Sequence, residues 1–340
     1  MSCPFSDQTA LLPVCTLWRA TMARLASCAF SINFLLEHHQ LTSSILSSVP
    51  FAQLPAHWDT LLKRLLSHTR GAHHVQNFSA MVRHLVTTRL ANPPPTPDLF
   101  SSIPTAPTEK RPVPIPFDEI LAECTTMLDA GNDTTQTSLA NAMFLLATHP
   151  EIQTKLREAL STSLPKNTET LGVASYYAHL QHVPYLRAIL DESFRVRTPV
   201  RFGLPRKTTE ATCIAGHWIG KGVTVSAPLD LLHKNASLFS EPDKFIPERW
   251  LEEAGGGVYA AERKNLKDFV IPFSIGPRAC VGRNLAYMEL SIVIAALVRE
   301  FEWSVDREKH EAGKGVDGME IVERLNANPK ELWVVARPME

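Results

Sequence analysis

The feature that most constrains the fold is a long amphipathic segment from Phe117 to about Thr148, which Pro150 ends. Apolar residues recur along it with helical spacing, from Phe117 to Leu128 and again from Leu139 to Leu146. A helix of about thirty residues is roughly 45 Å long, so it must cross a whole domain. Its middle, Ala130–Thr135, is polar and contains a glycine, although tight packing there favours apolar helix formers. A local rule broken in this way is typical of a functional site.

The rest of the sequence predicts mostly helices first, followed by short strands and irregular chain. A hairpin is indicated at 211–228 and a terminal strand at Leu332–Ala336. No alternation of strands and helices appears, so we expect a mainly α fold of the α+β class. A proline-rich loop occupies residues 92–116. The further predicted helices are Val75–Leu90, Pro150–Ser163, Ala174–Gln181, Val183–Arg197 and Arg283–Phe301.

Composition excludes several classes of protein. The net charge of −1 gives no basic field for nucleic acid. The six cysteines are scattered, with neither zinc spacing nor a disulfide framework, which indicates reduced thiols. The first twenty residues contain no apolar stretch long enough for a signal peptide or a membrane anchor, so we expect no anchor in this chain.

The strongest local signal is Phe273–Gly282, a glycine-containing loop that carries one cysteine ahead of the helix beginning near Arg283. Free amides and the helix dipole at a helix start favour a thiolate over a thiol. Gly276 and Gly282 allow a tight turn and a close approach to a flat cofactor. The alternative is that Cys280 is a small buried apolar residue, as most lone cysteines are.

The spacing of Phe273, Gly276, Arg278, Cys280 and Gly282 resembles the cysteine-ligand loop of the cytochrome P450 family. Other motifs follow in the family's order, so the resemblance covers the chain from about Phe117 to its C-terminus. Ala130–Thr135 is similar to the family's acid–threonine motif in the central helix, and Glu192 and Arg195 are similar to its Glu-x-x-Arg pair. Phe245–Trp250 is similar to a later segment whose arginine, here Arg249, completes a triad with that pair. Leu232–Asn235 also resembles a family segment.

The resemblance implies a cytochrome P450 fold with haem b between the long central helix and the cysteine loop. Cys280 would be the axial ligand of the iron, and Arg278 and Arg206 would contact the haem propionates. Asp133 and Thr134 would relay protons, although a solvated polar face is the alternative. A triad of Glu192, Arg195 and Arg249 would brace the loop in a structural role. For Glu192 and Arg195, an exposed ion pair three residues apart is the alternative.

The implied activity is that of a haem-thiolate monooxygenase, which inserts one oxygen atom from O2 into a small apolar organic substrate. Electrons would come from an NADPH-dependent reductase, and the sequence style resembles fungal members of specialised metabolism. Substrate contacts are expected from the central helix before Gly131, from Pro199–Leu204 and from Gly318–Val322. Family members place the cysteine later in the chain, so the N-terminal part of the fold is expected to be missing here.

The prediction is therefore one domain, in which residues 1–116 are the remnant of a helical N-terminal half and residues 117–340 form the haem-binding catalytic core. The Trp-x-x-x-Arg helix of the family has no clean counterpart, because Met22 stands where the arginine after Trp18 belongs. A truncated, catalytically silent relative is the alternative function. Relatives lie on the endoplasmic reticulum membrane, and that location and the cytoplasm both stay open.

Overall fold

The computed structural model describes residues 10–13, 70–306 and 321–339, apart from short gaps at 96, 104, 106, 108–111, 166–167, 169–170, 253–258, 260–261, 324–325 and 330–331. The segment around Trp18 and Met22, and most of the predicted remnant 1–116, lie outside the described residues. So do Gly318, Met319 and Glu320 of the expected substrate segment.

Among the residues in described elements, most are helical. The two longest are α1, Arg70–Ala91, and α2, Phe117–Thr148. The others are α3 Pro150–Ser163, α4 Val173–Leu180, α5 Pro184–Val196, α6 Leu229–His233, α7 Glu262–Phe269 and α8 Arg283–Glu300. Single 3₁₀ turns lie at Leu99–Ser102, Pro247–Trp250 and Gly276–Arg278.

The strands are short and pair in four small antiparallel sheets. They are β1 Ala10–Pro13, β2 Arg206–Lys207, β3 Thr212–Ile214, β4 His217–Ile219, β5 Thr224–Val225, β6 Phe301–Val305, β7 Ile321–Glu323, β8 Ala327–Pro329 and β9 Trp333–Pro338. In the three-stranded sheet the order is β1–β9–β6, with Leu11 opposite Val335 and Trp303 opposite Ala336. The remaining sheets pair β2 with β5, β3 with β4 and β7 with β8.

The chain forms two compact units, and their boundary falls inside α2. One unit contains Leu17–Asp133, and the other contains Thr134–Glu340 together with Met1–Thr16. In the first, α1 packs its buried face against the start of α2. Seven buried side chains form this core: Phe78, Val82, Val86, Phe100, Ile120, Cys124 and Leu128.

In the second unit, α8 packs against α3, α4, α5 and β6. Its stripe of Val293, Ile294, Leu297 and Val298 is buried because these residues face the neighbouring helices. Gln153 joins α3 to the sheet, since its amide donates to the Trp303 carbonyl at 3.1 Å and accepts from the Trp303 amide at 2.9 Å. These two bonds hold the three-stranded sheet against α3.

The predicted helices are confirmed to within a few residues, and α2 has the predicted bounds. The indicated hairpin at 211–228 contains β3 and β4, whereas β5 pairs with β2 instead. The sequence analysis did not predict β6, which follows α8 directly and pairs with β9 more than thirty positions later.

Candidate active site

The cysteine loop is a tight, internally bonded turn that ends at the first residue of α8. Its backbone takes left-handed conformations at Ser274, with φ 60°, and at Gly276, with φ 76°. The Cys280 amide donates to the Phe273 carbonyl at 2.9 Å, which closes the loop. Gly282 then caps α8 without a side-chain bond. The loop therefore fixes the backbone of Cys280 two residues before the helix cap.

The Cys280 side chain lies on the surface and not in the core. Its neighbours in sequence are apolar and strongly exposed, with Val281 at 100% and Ile275 at 67%. The position of a Cβ added to Gly282 would lie 3.8 Å from the Cys280 sulfur, so glycine keeps that side of the thiol open. The alternative that Cys280 is a buried apolar residue is wrong.

Aromatic packing anchors the start of the loop to two helices. The Phe273 ring lies 5.0 Å from that of Phe194 on α5 and 5.3 Å from that of Tyr287 on α8, and the last two rings lie 5.5 Å apart. The two pairs that involve Phe194 are edge-to-face, and the Phe273–Tyr287 pair is tilted. Aromatic pairs at such distances stabilise by about 0.5–1.5 kcal/mol beyond area burial. Phe273 is thus the residue that joins the loop to its support.

A polar contact that the sequence analysis missed holds the same support together. The Tyr287 hydroxyl donates to Asp191 on α5, and Arg187 pairs with that carboxylate at 2.8 Å while lying 3.8 Å over the Tyr287 ring. Burial raises the pKa of Tyr287, and the Asp191 charge raises it further. No local pattern predicts this contact, because the two residues are far apart in sequence.

Glu192, Arg195 and Arg249 meet in one fully buried cluster, with 0% exposure for each. Arg195 donates from Nε and Nη2 to the two Glu192 oxygens at 2.9 and 2.8 Å, and Arg249 Nε lies 3.3 Å from Oε1. The Ile246 amide and the Trp250 indole donate to the same carboxylate at 3.0 and 2.9 Å. The alternative of an exposed ion pair is wrong for Glu192 and Arg195.

A second carboxylate completes the charge balance of this cluster. Glu262 on α7 accepts from Arg249 Nη1 at 2.7 Å and from the hydroxyl of Ser240. Burial would raise the pKa of Glu262, but the hydrogen bonds from Ser240 and Arg249 bring it below its usual value. Glu262 was not predicted, because no spacing in the sequence marks it as a partner of Arg249.

Asp133 and Thr134 are adjacent and half-buried in the middle of α2. The Ser138 hydroxyl donates to the Thr134 carbonyl at 2.7 Å. One turn earlier, burial raises the pKa of Asp129, and the Asp133 carboxylate raises it further. The helix therefore carries two interacting carboxylates beside a hydroxyl, a set able to hold and exchange protons.

The two arginines expected at the propionates are both exposed. Arg278 lies in the 3₁₀ turn of the cysteine loop, and Arg206 begins β2, opposite Val225. Before Arg206, the Phe202 and Leu204 side chains are exposed by 61% and 45%. This unit therefore has exposed apolar side chains and an arginine at β2, and a second exposed arginine in the cysteine loop.

These residues fit an iron porphyrin. A single thiol stands on a closed loop, exposed apolar side chains offer contact to a flat apolar ring, and Arg278 offers a cation for a carboxylate. Among the described residues, no group of three or more His, Cys, Asp or Glu side chains could hold a metal ion. None of the described helices is long and apolar enough to cross a bilayer.

Comparison with known proteins gives a single family. The model of the family described as Cytochrome P450 matches residues 6–316. A relative named cytochrome P450 monooxygenase AKT7, from Alternaria alternata, is 34% identical over 230 residues, which are 66% of this chain and 43% of the relative. The monooxygenase atr2 of Stereocaulon alpinum is 31% identical over 74% of this chain and 47% of the relative. The chain thus spans about half the length of these curated relatives.

Solved structures show the same fold. The crystal structure of a cytochrome P450 (CYP102L1) is 23% identical and superposes with a TM-score of 0.74 over 97% of this chain and 69% of that one. A retinoic acid-bound cyanobacterial protein, CYP120A1, gives a TM-score of 0.75 at 21% identity, over 95% of this chain and 68% of that one. The mainly α fold expected from the sequence is confirmed.

Proposed function

Because the chain belongs to the cytochrome P450 family, whose members bind haem b, we propose that it is a haem-thiolate monooxygenase with Cys280 as the axial ligand. The observation that carries this proposal is the exposed thiol of Cys280, held on a closed loop two residues before the cap of α8. A buried thiol could not meet a cofactor, and a thiol on an open loop would not be oriented.

The residues around the loop divide into those that would contact the cofactor and those that would hold the contact in place. Arg278 and Arg206 are the exposed cations proposed for the propionates, and Phe273, Gly276 and Gly282 shape the loop. Behind it, Arg195 donates to the carbonyls of Pro242 and Lys244, and Arg249 donates to that of Glu241. Glu192 accepts from Arg195 and forms an ion pair with Arg249. The proposed role of this triad is structural.

Bound haem supplies oxygen activation, which a thiolate ligand favours by donating electron density to the iron. The chain's own part would be proton supply. We propose that the Thr134 hydroxyl passes protons and that Asp133 exchanges them with solvent, because the two residues are consecutive on α2 and only half-buried. The nearby Asp129, whose pKa is raised, would keep this part of α2 from accumulating two negative charges.

The proposed reaction inserts one oxygen atom from O2 into a small apolar substrate, with electrons from an NADPH-dependent reductase. The apolar surface at Phe202 and Leu204 supports an apolar substrate. The relatives named as monooxygenases support the reaction class.

The test is the absorption spectrum of the purified protein after haem supplementation, reduction and exposure to carbon monoxide. A strongly red-shifted Soret band is expected for a thiolate ligand, and Cys280→Ala should abolish it. Cys213→Ala is the matched control, because Cys213 is another exposed free cysteine, on β3. A band that survives Cys280→Ala, or no band in the parent protein, would refute the assignment.

A further inference from the structure

His233, the last residue of α6, is the imidazole that connects the buried arginine cluster with the cysteine loop. Its side chain is 0% exposed. Its backbone carbonyl accepts a hydrogen bond from Arg195 Nη1 at 3.0 Å. Its ring accepts a hydrogen bond from Ile271, two residues before the cysteine loop begins at Phe273. One residue therefore contacts both parts of the candidate site.

The tautomer of the ring follows from one backbone hydrogen bond. The Ile271 amide donates to His233 Nε2 at 3.0 Å, and a backbone N–H can only donate. The neutral ring must therefore carry its proton on Nδ1. That nitrogen is buried beside the Phe194 carbonyl, in a contact that falls short of a well-formed hydrogen bond. Protonation of Nε2 would break the bond to Ile271.

The Ile271 amide is the first link in a chain of bonds that ends at the cysteine. The Ile271 carbonyl accepts from the Ser274 amide at 2.9 Å, and this turn holds Ser274 in its left-handed conformation. The Phe273 carbonyl then accepts from the Cys280 amide at 2.9 Å. A shift of the Ile271 backbone would therefore change the orientation of the cysteine loop.

We propose that His233 is a positioning residue for the Cys280 sulfur, acting through the Ile271 amide as a neutral hydrogen-bond acceptor. This inference rests on the proposed haem-thiolate function. It goes beyond the triad, because the arginines of the triad bond carbonyls of residues 241–244, whereas His233 bonds Ile271, two residues before the loop begins at Phe273. Removing the acceptor leaves the half-buried Ile271 N–H without this partner, and the backbone before the loop would shift to find another.

The experiment compares three variants of the full chain, each supplemented with haem. His233→Phe keeps a ring but removes the acceptor, and His233→Gln keeps an amide oxygen able to accept from Ile271. Leu160→Ala removes a fully buried side chain of α3 and serves as the control for lost stability alone. The readouts are the red-shifted Soret band of the reduced carbon monoxide complex and the reduction potential of the iron.

His233→Phe should raise the fraction of complexes lacking the red-shifted band about tenfold, the change expected when one half-buried amide loses its hydrogen bond. His233→Gln should restore the band at least in part, and Leu160→Ala should keep both band and potential. Equal spectra and potentials in His233→Phe and the parent would overturn the inference, as would equal losses in His233→Phe and Leu160→Ala. If His233→Phe does not fold, the test rests on His233→Gln. A folded His233→Gln that lacks the red-shifted band then overturns the inference. Absence of the band from the parent protein would instead refute the proposed function.

Discussion

Glu192→Gln should be one of the most costly single-atom changes in the described part of this protein. The side chain is fully buried, and its two oxygens accept four hydrogen bonds: two from Arg195 and one each from Ile246 and Trp250. Arg249 Nε lies 3.3 Å from Oε1 and adds a charge contact. The glutamine amide keeps one acceptor oxygen and turns the other position into a donor, so two of the four donors then point at an N–H₂ group.

The same change removes the carboxylate that pairs with both Arg195 and Arg249, whose guanidinium groups are buried. Arg249 keeps its ion pair with Glu262. Removing one partner from a buried ion pair typically costs about 3–5 kcal/mol. We expect the free energy of unfolding to fall by about 4 kcal/mol on that basis. The substitution keeps size and shape, so packing contributes little to the loss.

Urea denaturation followed by circular dichroism measures this change, with Glu241→Gln as the matched control. Glu241 makes an exposed ion pair with Lys244, and exposed pairs of this kind are worth about 0–1 kcal/mol. Its backbone carbonyl, which accepts from Arg249, is unchanged in the control. A loss below about 1 kcal/mol for Glu192→Gln, similar to the control, would refute a buried triad.

Three further predictions concern Thr134, Tyr287 and His233. Thr134→Ala should leave the haem spectrum unchanged while oxygen consumption exceeds product formation; equal coupling in variant and parent would remove the proposed relay. Tyr287→Phe loses the bond to Asp191 and should lower the free energy of unfolding by about 1 kcal/mol in denaturant titration, whereas no loss would show the bond to be dispensable. Burial lowers the pKa of His233 from 6.5 to about 4. The folded state therefore favours the neutral ring, and this contribution is complete above pH 6.5 and lost as the pH falls towards 4, up to about 3 kcal/mol. Burial raises the pKa of Glu289 to about 7, which acts in the opposite direction, so the measurement is the difference between the parent and His233→Gln across this pH range. A difference that does not change with pH would contradict it.

The local features of this chain could be predicted from sequence because each has a short-range cause. Pro150 ends α2 and begins α3, and the apolar stripe fixes the length of α2. The spacing of Gly276 and Gly282 predicted a loop around Cys280, and the structure has an exposed Cys280 on that loop. The three triad residues, chosen from their motifs, lie in one buried cluster.

The contacts that join distant elements could not be predicted in the same way. Glu262 meets Arg249, Tyr287 meets Asp191, and His233 meets Ile271 only after the helices have packed. None of these pairs lies at a spacing that marks a helix face or a strand. The strand β6 was missed for the same reason, since its pairing partner is β9.

The most direct test of the account is an experimental structure of the haem-supplemented protein, with iron located by its anomalous scattering. The account predicts iron bonded to the sulfur of Cys280, with the porphyrin lying against the cysteine loop and Arg278 beside a propionate. Iron held by another residue, or a porphyrin bound away from this loop, would contradict it.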